Sequence, residues 1–235
     1  MALSFSSCSG PAPLSSAFQT NANRAWRCAR RKVSCGVLET IRQNLGGLST
    51  GSRSARESRL LQAIQETRQG QSTTPAQKAD ILAAVEELVE LGLNEATASS
   101  PAINATWKLL WTTEKETLFI LRQARRFGTE AGDVYQVIDV PGKSLNNVIT
   151  FQNGAAFIVD SSLDVDPDNA QRLNFKFSGA QLKLPRRTVK LPPFGRGWFD
   201  TVWLGSKIRI AKDIRGDTLI VERDGPPRSF SKLGI

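Results

Sequence analysis

The 235-residue chain contains no histidine, and its three cysteines, Cys8, Cys28 and Cys35, all fall within the first 35 positions. Without imidazole there is no Ser-His triad and no histidine acid–base chemistry. Beyond Cys35 there is no thiol nucleophile, no disulfide and no Cys/His zinc site either. No apolar run approaches the roughly 18 to 20 residues that a membrane-spanning helix needs, so any membrane contact is expected to be peripheral. Carboxylates are missing from one long stretch as well: the first acid is Glu39.

That acid-free amino terminus carries Arg24, Arg27, Arg30, Arg31 and Lys32 among seven serines in residues 1–38. A Ser-rich, Arg-bearing, acid-poor leader has the composition of an organelle transit peptide. Arginine is absent from the first 23 positions and Met1-Ala2 opens the chain, which favours a chloroplast address. Val33-Ser34-Cys35 is the expected processing site. The formal charge of +9 therefore overstates the basicity of the folded part: removing residues 1–35 takes away five positive charges and no negative ones, leaving +4. That charge is modest for a nucleic-acid partner, and none is expected. Phe175-Lys176-Phe177 imitates a base-stacking strand, but alternation puts Lys176 on the face opposite the two rings.

Residues 36–100 read as a helical segment. Ser54-Ala55-Arg56-Glu57 and Thr74-Pro75-Ala76-Gln77 both have capping-box spacing. Ile81, Leu82, Val85, Leu88 and Val89 follow at helical intervals up to Gly92. The expectation is a helical hairpin whose apolar stripe packs on a sheet. From Ile103 the period changes to 2, with strands expected at Trp107–Thr112, near 117–121, and at Asp133–Asp139, Asn146–Gln152, Ala155–Val165, Arg172–Leu184, Thr188–Leu191, Thr201–Ile210 and Thr218–Arg223. Pro141-Gly142, Asn153-Gly154, Ser178-Gly179 and Gly216-Asp217 punctuate them as turns. Residues 101–235 thus read as an antiparallel meander or closed barrel behind amino-terminal helices, an α+β chain.

No catalytic constellation emerges, and the chain reads as a non-enzyme with no cofactor or metal. Asp164-Val165-Asp166-Pro167-Asp168-Asn169 begins like a calcium loop, but Asn169 and Phe175 replace the required Gly and Glu. Glu86, Glu87, Glu114 and Glu116 read as solvated. Alternation offers Leu109, Trp111, Phe157, Val159, Phe175 and Phe177 as inward positions that would line a barrel. Whether side chains fill that interior or leave a cavity stays open. Asn169 through Phe199 contains no acid and seven basic residues. Its Arg186, Arg187, Lys190, Phe194, Arg196 and Trp198 combine charge with apolar wedges, as peripheral docking on an anionic bilayer requires. A solvated outer face is the plainer alternative.

Ala105-Thr106-Trp107-Lys108-Leu109-Leu110-Trp111-Thr112-Thr113 resembles the first-strand motif of the plastid-lipid-associated, or plastid fibrillin, family. Asp200-Thr201-Val202-Trp203-Leu204, Ile208-Arg209-Ile210 and Gly216-Asp217-Thr218-Leu219-Ile220-Val221 resemble that family's carboxy-terminal stretch. The resemblance spans roughly residues 53–225 and suits a short chloroplast member. Ala105 stands where the family usually has glycine, and Trp111 where it has tyrosine. The resemblance implies a lipocalin-like barrel that binds prenylquinones, carotenoids or acyl lipids and sits on thylakoids, plastoglobules or in the stroma. It also implies that Trp107 closes one barrel end under an arginine of the last strand, for which Arg223 is the candidate. A non-enzymatic accessory or scaffold subunit, held by a plastid protein partner, is the alternative.

Overall fold

The computed structural model describes residues 53–92, 95–192 and 195–230. The expected transit segment and the first part of the helical segment lie outside them, as does Phe194. Helix α1 covers residues 53–63 and helix α2 covers Pro75–Gly92. Thr74 and Gln77 form the reciprocal capping box: the Gln77 amide donates to Thr74 Oγ1 at 3.2 Å, and the Thr74 amide to Gln77 Oε1 at 3.0 Å. Ser54 caps nothing, because Arg53 is already helical. Glu57 instead accepts the Trp203 indole N–H at 2.9 Å. The two helices run antiparallel, tied by Arg56 to the Glu87 carbonyl at 2.7 Å and by the Arg59–Glu87 ion pair. Their link turns through positive φ at Glu66, Arg68, Gln69 and Gly70. A Cβ on Gly70 would stand 2.3 Å from the Thr112 carbonyl oxygen, so only glycine lets the link lie on the sheet.

Nine strands follow: β1 (Ala105–Thr112), β2 (Ala131–Asp139), β3 (Ser144–Phe151), β4 (Ala156–Val165), β5 (Arg172–Leu184), β6 (Arg187–Leu191), β7 (Arg196–Leu204), β8 (Ile208–Asp213) and β9 (Thr218–Arg223). All pairings are antiparallel, in the order β4-β3-β2-β1-β9-β8-β7-β5-β6, and β4 also pairs with β5. Eight strands therefore close a ring. Strand β5 is long enough to serve two neighbours on one edge: residues 172–176 pair with β7, and residues 180–184 pair with β6. Strand β6 thus stands outside the ring as an arm. One end of the barrel carries Trp107 and a short helical turn, Pro101–Ile103. The other end carries helix α3 (Lys115–Gln123), the β8–β9 turn and the β5–β6 arm.

Three sequence expectations change. The segment near 117–121 is helix α3, not a strand. Leu118, Leu121 and Ala124 recur at helical spacing, Glu116 and Arg122 suit the positive and negative helix ends, and Gly128 ends the following turn at φ 71°. Thr201–Ile210 is split by the Gly205–Lys207 turn into β7 and β8. Ser178-Gly179 is not a turn but a bulge within β5: Asp160 faces Gly179 while Ser161 faces Phe177.

Apolar burial falls on both faces of the wall. Leu109, Leu145, Leu163, Leu173, Phe199 and Val221 belong to the interior cluster. Outside, Trp111, Trp203, Ile208, Ile210 and Ile220 pack against Leu60, Ile81, Val85 and Leu88 of the helices. Trp111 was expected inside. A bulge in β1 pairs Leu109 with Val221 but Trp111 with Ile220, which reverses the alternation and turns the indole outward under the helices. There its Nε1 donates to Thr73 at 3.1 Å. Trp111→Ala should therefore cost about 3–5 kcal/mol of stability, read as a lowered midpoint in urea unfolding, by unseating the helices from the wall.

Candidate functional site

The barrel encloses a chamber of about 450 Å³. Leu109, Phe157, Val159, Phe175 and Phe177, five of the six expected inward positions, border it; Trp111 does not. The Phe175 and Phe177 rings lie 5.4 Å apart, and Phe175 covers Gly197 so closely that a Cβ there would meet the ring at 2.9 Å. Glycine at 197 is what lets that ring lie flat against the wall.

Below the chamber the barrel is closed. The indole of Trp107 donates to the Ile103 carbonyl at 2.9 Å. Trp107 pairs with Arg223 across the β1–β9 seam, and the Arg223 guanidinium lies 4.5 Å from the indole centre. Arg223 also donates to the carbonyls of Ala102 and Ser206, which ties the cation to the barrel end. A second arginine, Arg209, enters from β8 and is fully buried, 5.4 Å from the Trp107 and Phe199 ring centres. It reaches across the barrel to Gln136 on β2 and donates to Thr201 Oγ1 at 3.3 Å. Burial pushes its pKa down to about 9, partly offset by the charge of Glu114. Sequence reasoning missed this residue. The available signal was Ile208-Arg209-Ile210 inside a strand buried on both faces, which leaves the arginine only the interior.

The open end is shaped by α3. Thr113 Oγ1 donates to Asp217 at 2.8 Å and the Thr112 hydroxyl accepts the Glu114 amide at 3.0 Å, so the exit of β1 is fastened to the start of β9. Glu114 borders the chamber and is not solvated as expected. Desolvation raises its carboxyl pKa, opposed by the Thr117 hydroxyl and reinforced by Asp213 and Asp217. Arg215 bridges Glu116, Asp213 and Asp217. A second, apolar hollow of about 500 Å³ lies between α3, the β3–β4 hairpin and the end of β5. Ile120 and Phe157 border both spaces.

The residues expected to dock are divided. Arg186, Arg187, Lys190 and Arg196 are exposed at the open end, on the β5–β6 arm and the start of β7. Trp198 is half-buried: Arg172 stacks 3.6 Å over its ring and forms a bidentate pair with Asp200 at 2.8 and 2.9 Å. Among the described residues, three of the four exposed large apolar side chains share the open end: Phe119 on α3 (62% exposed), Ile214 in the β8–β9 turn (57%) and Leu191 on the arm (39%). Among the described residues no cluster of acids could hold a metal ion, and no helix is long and apolar enough to cross a membrane.

Comparison with known proteins adds to this geometry. The PAP_fibrillin family model matches residues 54–222, from α1 to β9. The chain is 42% identical over 225 residues to an Arabidopsis thaliana protein named probable plastid-lipid-associated protein 11, chloroplastic, covering 95% of this chain and 94% of that one. It is 25% identical over 219 residues to probable plastid-lipid-associated protein 12, chloroplastic, from the same plant, covering 86% of this chain and 52% of that one. No solved structure matches significantly.

Glu114 gives the site a pH signature. Its folded-state pKa is raised above the unfolded value, so its contribution to stability is present at low pH and is lost as pH rises through the folded value. Glu114→Gln should therefore leave stability unchanged below the ordinary carboxylate range and increase it at pH 7 to 8, measured by urea unfolding at both ends of that window.

Proposed function

Because the chain belongs to the fibrillin family of plastid-lipid-associated proteins, we propose that it is a chloroplast lipid carrier that takes one apolar lipid into its barrel from an anionic membrane surface. The single observation that carries this reading is the crowding of three features at one barrel end: the chamber's open side, the exposed apolar side chains and the basic arm.

The chemistry required is burial alone. Each methylene moved out of water favours the complex by about 0.8 kcal/mol, and Leu109, Phe157, Val159, Phe175 and Phe177 supply an apolar wall. Trp107 and Arg223 act as the closure of a lipocalin-like cup, leaving the opposite end for entry. Prenylquinones, carotenoids and acyl lipids are the chemical class that such a cup takes. Helix α3 lies between the chamber and the apolar hollow beside it, so Ile120 and Phe157 form a lateral gate through which a long chain passes.

Docking follows from the same end. Arg186, Arg187, Lys190 and Arg196 would each gain about 1 kcal/mol beside an anionic lipid surface. Phe119, Leu191 and Ile214 would enter the headgroup layer next to them. The open end then faces a thylakoid or plastoglobule surface, and lipid moves between membrane and chamber without crossing water. Arg172 and Trp198 take no part, because Arg172 covers the indole and is itself paired with Asp200.

Lipid extraction of the full chain purified from chloroplasts should return a stoichiometric apolar lipid; a chain free of lipid would instead favour the scaffold role. Reversing Arg186, Arg187 and Lys190 to Glu should weaken binding to vesicles containing phosphatidylglycerol by about 100-fold or more in a sedimentation assay. Undiminished binding would remove the arm from the docking surface.

A further inference from the structure

The barrel interior is not apolar throughout. Below the phenylalanine-lined chamber, a tier of polar side chains points inward from four strands. Gln136 on β2 and Asn147 on β3 are cross-strand partners, and the Gln136 amide donates to Asn147 at 3.1 Å. Both border the chamber. Arg209 lies behind Gln136, in contact with it and with Phe199, another chamber residue. On β4, Ser161 follows Phe157 and Val159 on the same inward face.

Two atoms of this tier lack partners. Among the described residues, Arg209 Nε and Ser161 Oγ are the buried side-chain nitrogen and oxygen atoms with no hydrogen bond. Arg209 is completely buried and makes no ion pair there, only bonds to the neutral oxygens of Gln136 and Thr201. A guanidinium in a low-dielectric interior with no carboxylate paired to it bears a desolvation cost that ring faces and neutral oxygens offset only in part. An anionic oxygen ligand that accepts from Arg209 relieves the guanidinium's deficit, and Ser161 Oγ is a further unpaired donor on the interior wall.

We propose that the chamber binds a single-chain lipid carrying a carboxylate, head-first, with Arg209 as the headgroup anchor and Ser161 as a second donor. This rests on the lipid-carrier reading and specifies its ligand. Gln136 is the displaceable stand-in: its amide oxygen accepts from Arg209, and rotation of that side chain toward Asn147 opens the guanidinium to the chamber. The acyl chain then lies against Phe175 and Phe177, with its tail toward Ile120 and the lateral hollow. Arg209 remains protonated at neutral pH, since burial lowers its pKa only to about 9.

The test is fluorescence titration of the full chain with cis-parinaric acid and with its methyl ester, which share one chain and differ in headgroup charge. The acid should bind at least about tenfold tighter than the ester. Arg209→Met should abolish that preference, so that acid and ester bind alike, and Ser161→Ala should reduce it in part. Equal binding of acid and ester by the unaltered chain overturns the headgroup anchor but leaves the lipid carrier standing. Binding of neither overturns both. Should Arg209→Met not fold, palmitate labelled with carbon-13 at the carboxyl keeps the question open to measurement on the unaltered chain. Its resonance should not titrate between pH 7 and 5 when bound; titration like that of a carboxyl in water would place the head outside the barrel and overturn the proposal.

Discussion

The structure depends on the pairing of its first strand with its last. Strand β1 meets β9 along Trp107↔Arg223, Lys108↔Glu222 and Leu109↔Val221, then passes a bulge and continues at Trp111↔Ile220. Without that seam the sheet is an open meander with two exposed edges. With it, one end is shut by an indole under a guanidinium and the other is fastened by Thr113 to Asp217. The bulge in the seam decides which tryptophan serves which side. Trp107 faces inward and floors the barrel, and Trp111 faces outward and seats the helices.

Burial on both faces follows from this arrangement. The helices cover only the part of the ring where β1, β9, β8 and β7 are neighbours. Those strands therefore need apolar side chains at successive positions rather than alternate ones, as in Ile208, Ile210 and Ala211. A cationic residue placed in such a strand has no solvent to turn to. Arg209 is held inside for that reason, and its cost is met in part by ring faces and by the neutral oxygens of Gln136 and Thr201.

Much of this was legible in the sequence, and the losses have physical causes. Period-2 alternation located most strands, the Thr74–Gln77 box located α2, and five of the six inward positions chosen by alternation border the chamber. It failed at Trp111 because a one-residue bulge is invisible to periodicity yet reverses every later side chain. It failed at α3 because Leu118-Phe119-Ile120-Leu121 is a short apolar run, which strand and helix share. The solvated reading of Glu114 failed because only the fold puts that carboxyl at the chamber's edge. Arg209 and Ser161 were passed over since their significance lies in missing partners, and a missing partner is a property of three dimensions.

The arm formed by β6 carries one more consequence. Among the described residues it pairs with β5 alone, so its far side is a strand edge open to solvent. Such edges invite pairing with another copy of the chain and, from there, aggregation. Arg187 and Lys190 stand exposed on that edge, and Pro185 and Pro192 bracket it. Like charges and missing amide donors are what keep a free strand from recruiting a twin. The basic side chains that suit an anionic surface thus also act as gatekeepers of solubility, and selection on either role would be felt by the other.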